Sequence, residues 1–199
     1  MFFKNEMLRG AGENVEMSEE DIKEYIKCRQ SIFHFAKYFT IIGPAGEEKM
    51  KLRDYQEKIV KVICAKIPDK NNRIIMMGRQ TGKTTIATLY ILWYALFHKS
   101  KNIAVLANKA SQAEEILLRI KNAYIKLPLW LQQGLVKWNN GEIVMETKQK
   151  YSAVLVLVHL FVVSPLTFFW WTNLRSLMTI WQANLCNQFS QHKLQRKML

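Results

Sequence analysis

The residues with the most chemistry in them are Met77-Gly78-Arg79-Gln80-Thr81-Gly82-Lys83-Thr84-Thr85. A glycine beside Lys-Thr-Thr has the parts needed to hold a nucleotide's phosphates. Gly82 lets the backbone approach an anion, and the amides at the start of a following helix point at it with the helix dipole behind them. Lys83 can reach β and γ phosphates, and the Thr84 hydroxyl is placed to ligate magnesium. The spacing departs from G-x-x-x-x-G-K-[ST], because Met77 stands where the first glycine belongs and Gly78 comes one place late. The run is therefore a deviant Walker A, and the alternative is a solvated loop.

Such a loop works only between a strand and a helix, and the surrounding pattern supplies both. Arg73 to Met77 is a short apolar run of strand length, and Thr84 to His98 is a helix. Ile103 to Ala107 is a second buried strand, and Ser111 to Leu127 a helix expected to be capped by Ser111 and Glu114. This βαβα order predicts an α/β fold with a parallel sheet and right-handed crossovers. Ahead of it, Ser18 and Asp21 form a capping box that opens a helix to about Tyr38, with Ile22, Ile26, Phe33 and Phe35 on its apolar face. A loop with Gly43, Pro44 and Gly46 ends that helix, and another spans Tyr55 to Lys66. Leu135 to Trp138 and Glu142 to Glu146 flank Asn139-Asn140-Gly141, which reads as a hairpin.

The Gly78 to Thr85 block resembles the deviant phosphate loop of terminase large subunits, in which a small residue precedes Arg-Gln-x-Gly-Lys-Thr-Thr. Leu52-Arg53-Asp54-Tyr55-Gln56 is similar to that family's adenine-recognition motif. Ile103 to Lys109, Ser111 to Ile120, Leu127-Pro128 and Val136 to Asn139 are similar to its following elements. The resemblance covers roughly residues 20 to 150 and implies a P-loop ATPase domain that drives double-stranded viral DNA into a procapsid. Its cofactors would be ATP and Mg2+, with Gln56 on the adenine edge and Gly78, Gln80, Thr81, Gly82, Lys83, Thr84 and Thr85 forming the phosphate cradle. Arg79 would stabilise charge on the γ-phosphoryl oxygens as an arginine finger in cis. The alternatives are a carboxylate partner for Arg79 and an exposed helix-start position for Gln56. The implied partners are DNA, the portal, the small terminase subunit and further copies of the chain. The implied setting is the host cytoplasm at the procapsid portal, with no membrane partner.

Charge and length set the bounds. A length of 199 residues allows one domain with a sizeable core or one domain plus an appendage, and a net charge of +13 favours a polyanionic partner, nucleic acid first and anionic membrane second. Three scattered cysteines, Cys28, Cys64 and Cys186, have no zinc or redox spacing. No signal-peptide pattern opens the chain. The expected organisation is a helical N-terminal segment (1–50), a partial P-loop ATPase domain (51–150) and an aberrant apolar tail (151–199). All 16 acidic residues lie before residue 151 and none after it.

Hydrolysis in this class needs a Walker B strand ending in Asp and usually Glu. Ile143-Val144-Met145-Glu146 is the nearest candidate, but it follows the Asn-Gly turn. The tail suggests another source. Read one base earlier, the codons of Phe169 and Trp170 must give Leu, those of Trp170 and Trp171 Val, and those of Trp171 and Thr172 Asp. Thr172 with Asn173 permits Glu, and Phe161 to Pro165 permits Arg-Gly-apolar-Ser. The tail is therefore expected to be out of frame from near residue 150, leaving a chain that binds nucleotide without hydrolysing it or cutting DNA. Rival readings are a helicase-like DNA-remodelling ATPase, a membrane-tethered nucleotide-binding module spanning Ala153 to Trp171, and a DNA-binding fragment that uses its basic charge.

Overall fold

The computed structural model describes residues 7–43, 46–65, 72–98, 102–107, 110–147, 150–157, 168–172 and 177–181. The capping box forms as expected: Ser18 Oγ accepts from the Asp21 amide at 3.1 Å, and Asp21 Oδ2 accepts from the Ser18 amide at 3.0 Å. The helix it opens is shorter than expected. Helix α1 (Glu19–Gln30) stops because Ser31 is extended, and the Ser31 side chain caps a separate single turn, α2 (Ile32–Phe35). The buried face differs in part. Phe35 is fully buried as expected, but Ile22 and Ile26 are each 47% exposed, and Cys28 is buried in their stead.

A hairpin, β1 (Thr40–Gly43) with β2 (Gly46–Lys49), replaces the expected loop. Pro44 lies outside the described residues. Helix α3 (Asp54–Cys64) follows, then strand β3 (Asn72–Met76), helix α4 (Lys83–Phe97), strand β4 (Asn102–Ala107) and helix α5 (Ala110–Ile125). Because α5 begins at Ala110, Ser111 sits inside its first turn and is not the cap. Strands β5 (Leu135–Trp138) and β6 (Glu142–Thr147) make the expected hairpin, with Asn139 Oδ1 accepting from the amides of Gly141 at 3.0 Å and Glu142 at 2.7 Å.

Three further strands, β7 (Lys150–Leu157), β8 (Phe168–Thr172) and β9 (Leu177–Trp181), complete a seven-stranded sheet of order β3-β9-β8-β4-β7-β6-β5. The α/β class holds, but the expected parallel sheet is a mixed one. Its parallel pairings are those of β4 with β7 and β8; β9 runs antiparallel between β8 and β3, and β5, β6 and β7 are joined antiparallel. The physical reason is connection length, since short links between neighbouring strands favour antiparallel pairing. Part of Ala153 to Trp171 lies in β7 and β8, and no helix among the described residues is long and apolar enough to cross a membrane.

Helix α4 is the centre of the core. Buried residues occupy every side of it, from Ile86 and Ala87 through Leu92 to Phe97, as expected of a helix enclosed by other elements. The N-terminal residues pack on it directly. Phe35 meets Phe97 edge-on at 5.8 Å, Tyr25 meets Phe97 at 5.3 Å, and Trp93 Nε1 donates to the Cys28 carbonyl at 2.9 Å. Residues before 50 therefore share one hydrophobic core with the residues that follow. The first described residues also close the sheet's β5 edge. Leu135 N donates to the Arg9 carbonyl at 2.9 Å, and the buried Gln132 side chain accepts from Arg9 N at 3.1 Å and donates to the Met7 carbonyl at 3.0 Å.

Glu24 ties α1 to the turn after it. Its carboxylate meets Lys27 Nζ at 2.8 Å and His34 Nε2 at 2.6 Å and accepts from Tyr38 OH at 2.8 Å. These hydrogen bonds, Lys27 first, lower its pKa from 4.5 to about 2. A depressed carboxylate stabilises the fold above its unfolded pKa and loses that contribution as pH falls towards the folded value. Urea midpoints measured against pH should therefore fall between pH 4.5 and about 2. Glu24→Gln should flatten that part of the profile.

Candidate phosphate-binding loop

The loop between β3 and α4 is shaped by two left-handed residues, Gln80 at φ 58° and Gly82 at φ 80°. For Gln80 this conformation is unusual and costs of order 1 kcal/mol. Gly82 has a second constraint: a Cβ there would stand 2.7 Å from Gln56 Nε2, so the backbone angle demands glycine and any side chain would also have to displace the hydrogen-bonded end of Gln56. Gly82 is also the N-cap of α4, its carbonyl accepting from the Ile86 amide at 3.0 Å, so the helix begins at Lys83 with its first amides at the loop's mouth. Gly78 is different. A Cβ there would meet Thr81 Cγ2 at 3.5 Å, an ordinary contact, which agrees with a position that needs only a small residue.

Side chains then fix the loop from within and from below. Thr81 Oγ1 donates to the Gly78 carbonyl at 2.9 Å, and Lys83 Nζ donates to the Met77 carbonyl at 3.3 Å, which ties the end of the loop to its start. From α3, Tyr55 OH at 2.9 Å and Gln56 Nε2 at 3.3 Å both donate to the Thr81 carbonyl. Gln56 Oε1 accepts from the Arg53 amide at 3.0 Å. Gln56 is buried, which overturns the exposed helix-start alternative. Its amide nitrogen carries two hydrogens, and the Thr81 carbonyl uses one.

Gln56, Gly78, Thr81, Gly82 and Lys83 are thus brought together. Arg79 and Gln80 are exposed on the loop, and Arg79 makes no ion pair with a carboxylate among the described residues. Thr84 and Thr85 are half-buried on the first turn of α4, where the Thr84 carbonyl accepts from Thr88 Oγ1 at 2.8 Å. Thr85 and Thr88 also border a groove of about 560 Å³ between β1, α4 and α5, which Gln56 does not line. Sequence reasoning missed Tyr55 as a second clamp on the loop. Its only signal was its place beside Gln56 in the quoted block.

Glu146 is not part of this site. Its Oε2 accepts from the Gly12 amide at 2.7 Å, and β6 lies five strand positions from β3. That separation is about 24 Å. Among the described residues no group of His, Cys, Asp and Glu could hold a metal ion.

Residues 74–161 match the model for the N-terminal part of the terminase large subunit, T4likevirus-type. This stretch is similar to the N-terminal part of terminase large subunits. That similarity supports a role in phage DNA packaging. The match begins inside β3, takes in the whole β3–α4 loop and runs past Glu146, the last acidic residue of the chain.

The two loop glycines of this chain should behave differently. Gly82→Ala should lower stability by roughly 1–3 kcal/mol through a strained backbone and the displaced Gln56. Gly78→Ala should leave it within about 0.5 kcal/mol. Chemical denaturation of the two variants beside the parent checks both.

Proposed function

We propose that this chain binds ATP through the β3–α4 loop as part of the motor that packages viral double-stranded DNA. The observation that carries the reading is the Gly82 turn. It places the free amides of α4 and the Lys83 ammonium at the carboxyl edge of the sheet, with a buried glutamine beside them. The phosphate chain fits this donor set, since helix-start amides and an ammonium together favour a polyanion. Gln56 is positioned to offer its remaining amide hydrogen to the adenine edge. Arg79, exposed and without a carboxylate partner among the described residues, is available to the γ-phosphoryl oxygens in cis.

Magnesium fits less completely. Thr84 supplies one hydroxyl, and no carboxylate cluster among the described residues stands with it. When bound, the ion would neutralise charge on the phosphoryl oxygens. The protein's own contribution is to bind and orient the nucleotide. On this reading the chain as it stands holds ATP without turning it over. On the same reading its packaging partners are DNA, the portal, the small subunit and sister copies at the procapsid in the host cytoplasm, as the similarity to terminase large subunits implies.

Equilibrium titration with a fluorescent ATP analogue tests the site. Loss of one charge-assisted contact costs about 1.5–3 kcal/mol, so Lys83→Ala should weaken binding roughly ten- to a hundredfold. Gln56→Ala should weaken ATP more than GTP. Equal affinity in the parent and Lys83→Ala would sink the proposal.

A further inference from the structure

Among the described residues the phosphate loop has no acidic partner, and the sheet marks where one belongs. Strand β8 runs parallel to β4, with Phe168 opposite Ile103 and Thr172 opposite Ala107. On its other side β9 pairs antiparallel with both β8 and β3. Following those registers, Thr172, Met178 and Ile75 lie in one row across the three strands. Two antiparallel steps restore direction, so β3, β8 and β4 all point their carboxyl ends to the same edge, the edge from which the phosphate loop leaves β3. Ligand chemistry in open α/β sheets gathers at that edge. Thr172 stands two strand spacings, about 10 Å, from β3. A P-loop nucleotidase needs a strand-borne Asp for magnesium at this edge, with a further residue to position water.

The chain has Phe-Phe-Trp-Trp-Thr in that place and no acid anywhere from 151 to 199. Its codons do contain one. Tryptophan has a single codon, TGG, and every threonine codon begins AC. The last base of the Trp171 codon with the first two of Thr172 therefore reads GAC, aspartate, whatever synonymous codons the gene uses. The next triplet is NAA, in which N is the third base of the Thr172 codon: glutamate for G, lysine for A, glutamine for C, a stop for T. The same frame forces Leu and Val immediately before. Two independent constraints thus fall on one segment. The genetic code places an apolar strand ending in Asp on the nucleotides of β8, and the sheet places β8 at the edge beside the phosphate loop.

We infer that the nucleotides encoding β8 carry, one base earlier, the Asp-Glu strand that completes this phosphate site, and that the chain leaves that frame between Lys150 and Phe168. The inference rests on the phosphate-loop reading for its chemistry but not for its test. Sequencing the gene should find G as the third base of the Thr172 codon and no stop in the earlier frame from the Phe161 to the Trp181 codon. Any other base there, or a stop in that stretch, overturns it.

A second measurement uses the full chain beside a version re-encoded with one base added between codons 150 and 168. Magnesium-dependent ATP turnover is expected only in the re-encoded protein and should disappear when it carries Lys83→Ala. Turnover by the unaltered chain, or none after re-encoding in a protein that still binds ATP, overturns the inference. Loss of ATP binding in both forms with the predicted bases present would instead strike the phosphate-loop reading.

Discussion

A single peptide geometry organises the site: the left-handed Gly82 backbone, seated against the end of the Gln56 side chain. It turns the chain from loop to helix within one residue and aims the first amides of α4 back at the loop. If that angle relaxed, Lys83 would no longer reach across to Met77, and the α3 side chains would lose the carbonyl they hold. The requirement is both conformational and steric, which is why glycine is needed at 82 but only a small residue at 78.

That turn needs a fixed platform, and α4 provides one. A helix buried around its whole circumference cannot shift along its axis without opening the contacts that Phe35, Tyr25 and Trp93 make with it or its neighbours. The N-terminal residues are therefore part of the scaffold of the site, although none of them reaches it. Dense packing on one end of α4 holds the other end, where the helix's first amides lie beside the loop.

Most of this was legible locally and little of it globally. The boundaries of β3, α4 and β4 fell within one residue of expectation, because an apolar run, a glycine and a second apolar run are short-range signals. So was the β5–β6 hairpin, whose Asn-Gly turn is self-contained. The helix break at Ser31 was missed because apolar spacing continues across it while the backbone does not. Hairpin β1–β2 was missed because β2 is four exposed residues, Gly46 to Lys49, with no alternation to read. Strand direction depends on which strands become neighbours, and insertion of β9 beside β3 is a pairing across roughly a hundred residues that no window detects. In the site, Lys83 and Thr84 came from spacing, Gln56 from a resemblance, and Tyr55 only from the folded chain.

The Thr81 carbonyl accepts from two consecutive residues of α3, Tyr55 and Gln56. One oxygen with two donors behaves as a latch. A rotation of the 81–82 peptide large enough to break one bond breaks the other, so the loop and the start of α3 separate together or not at all. Movement imposed on the loop by a ligand would then arrive at α3 as a discrete step, transmitted along a rigid helix to Cys64, eight residues beyond Gln56 and at the far end of α3.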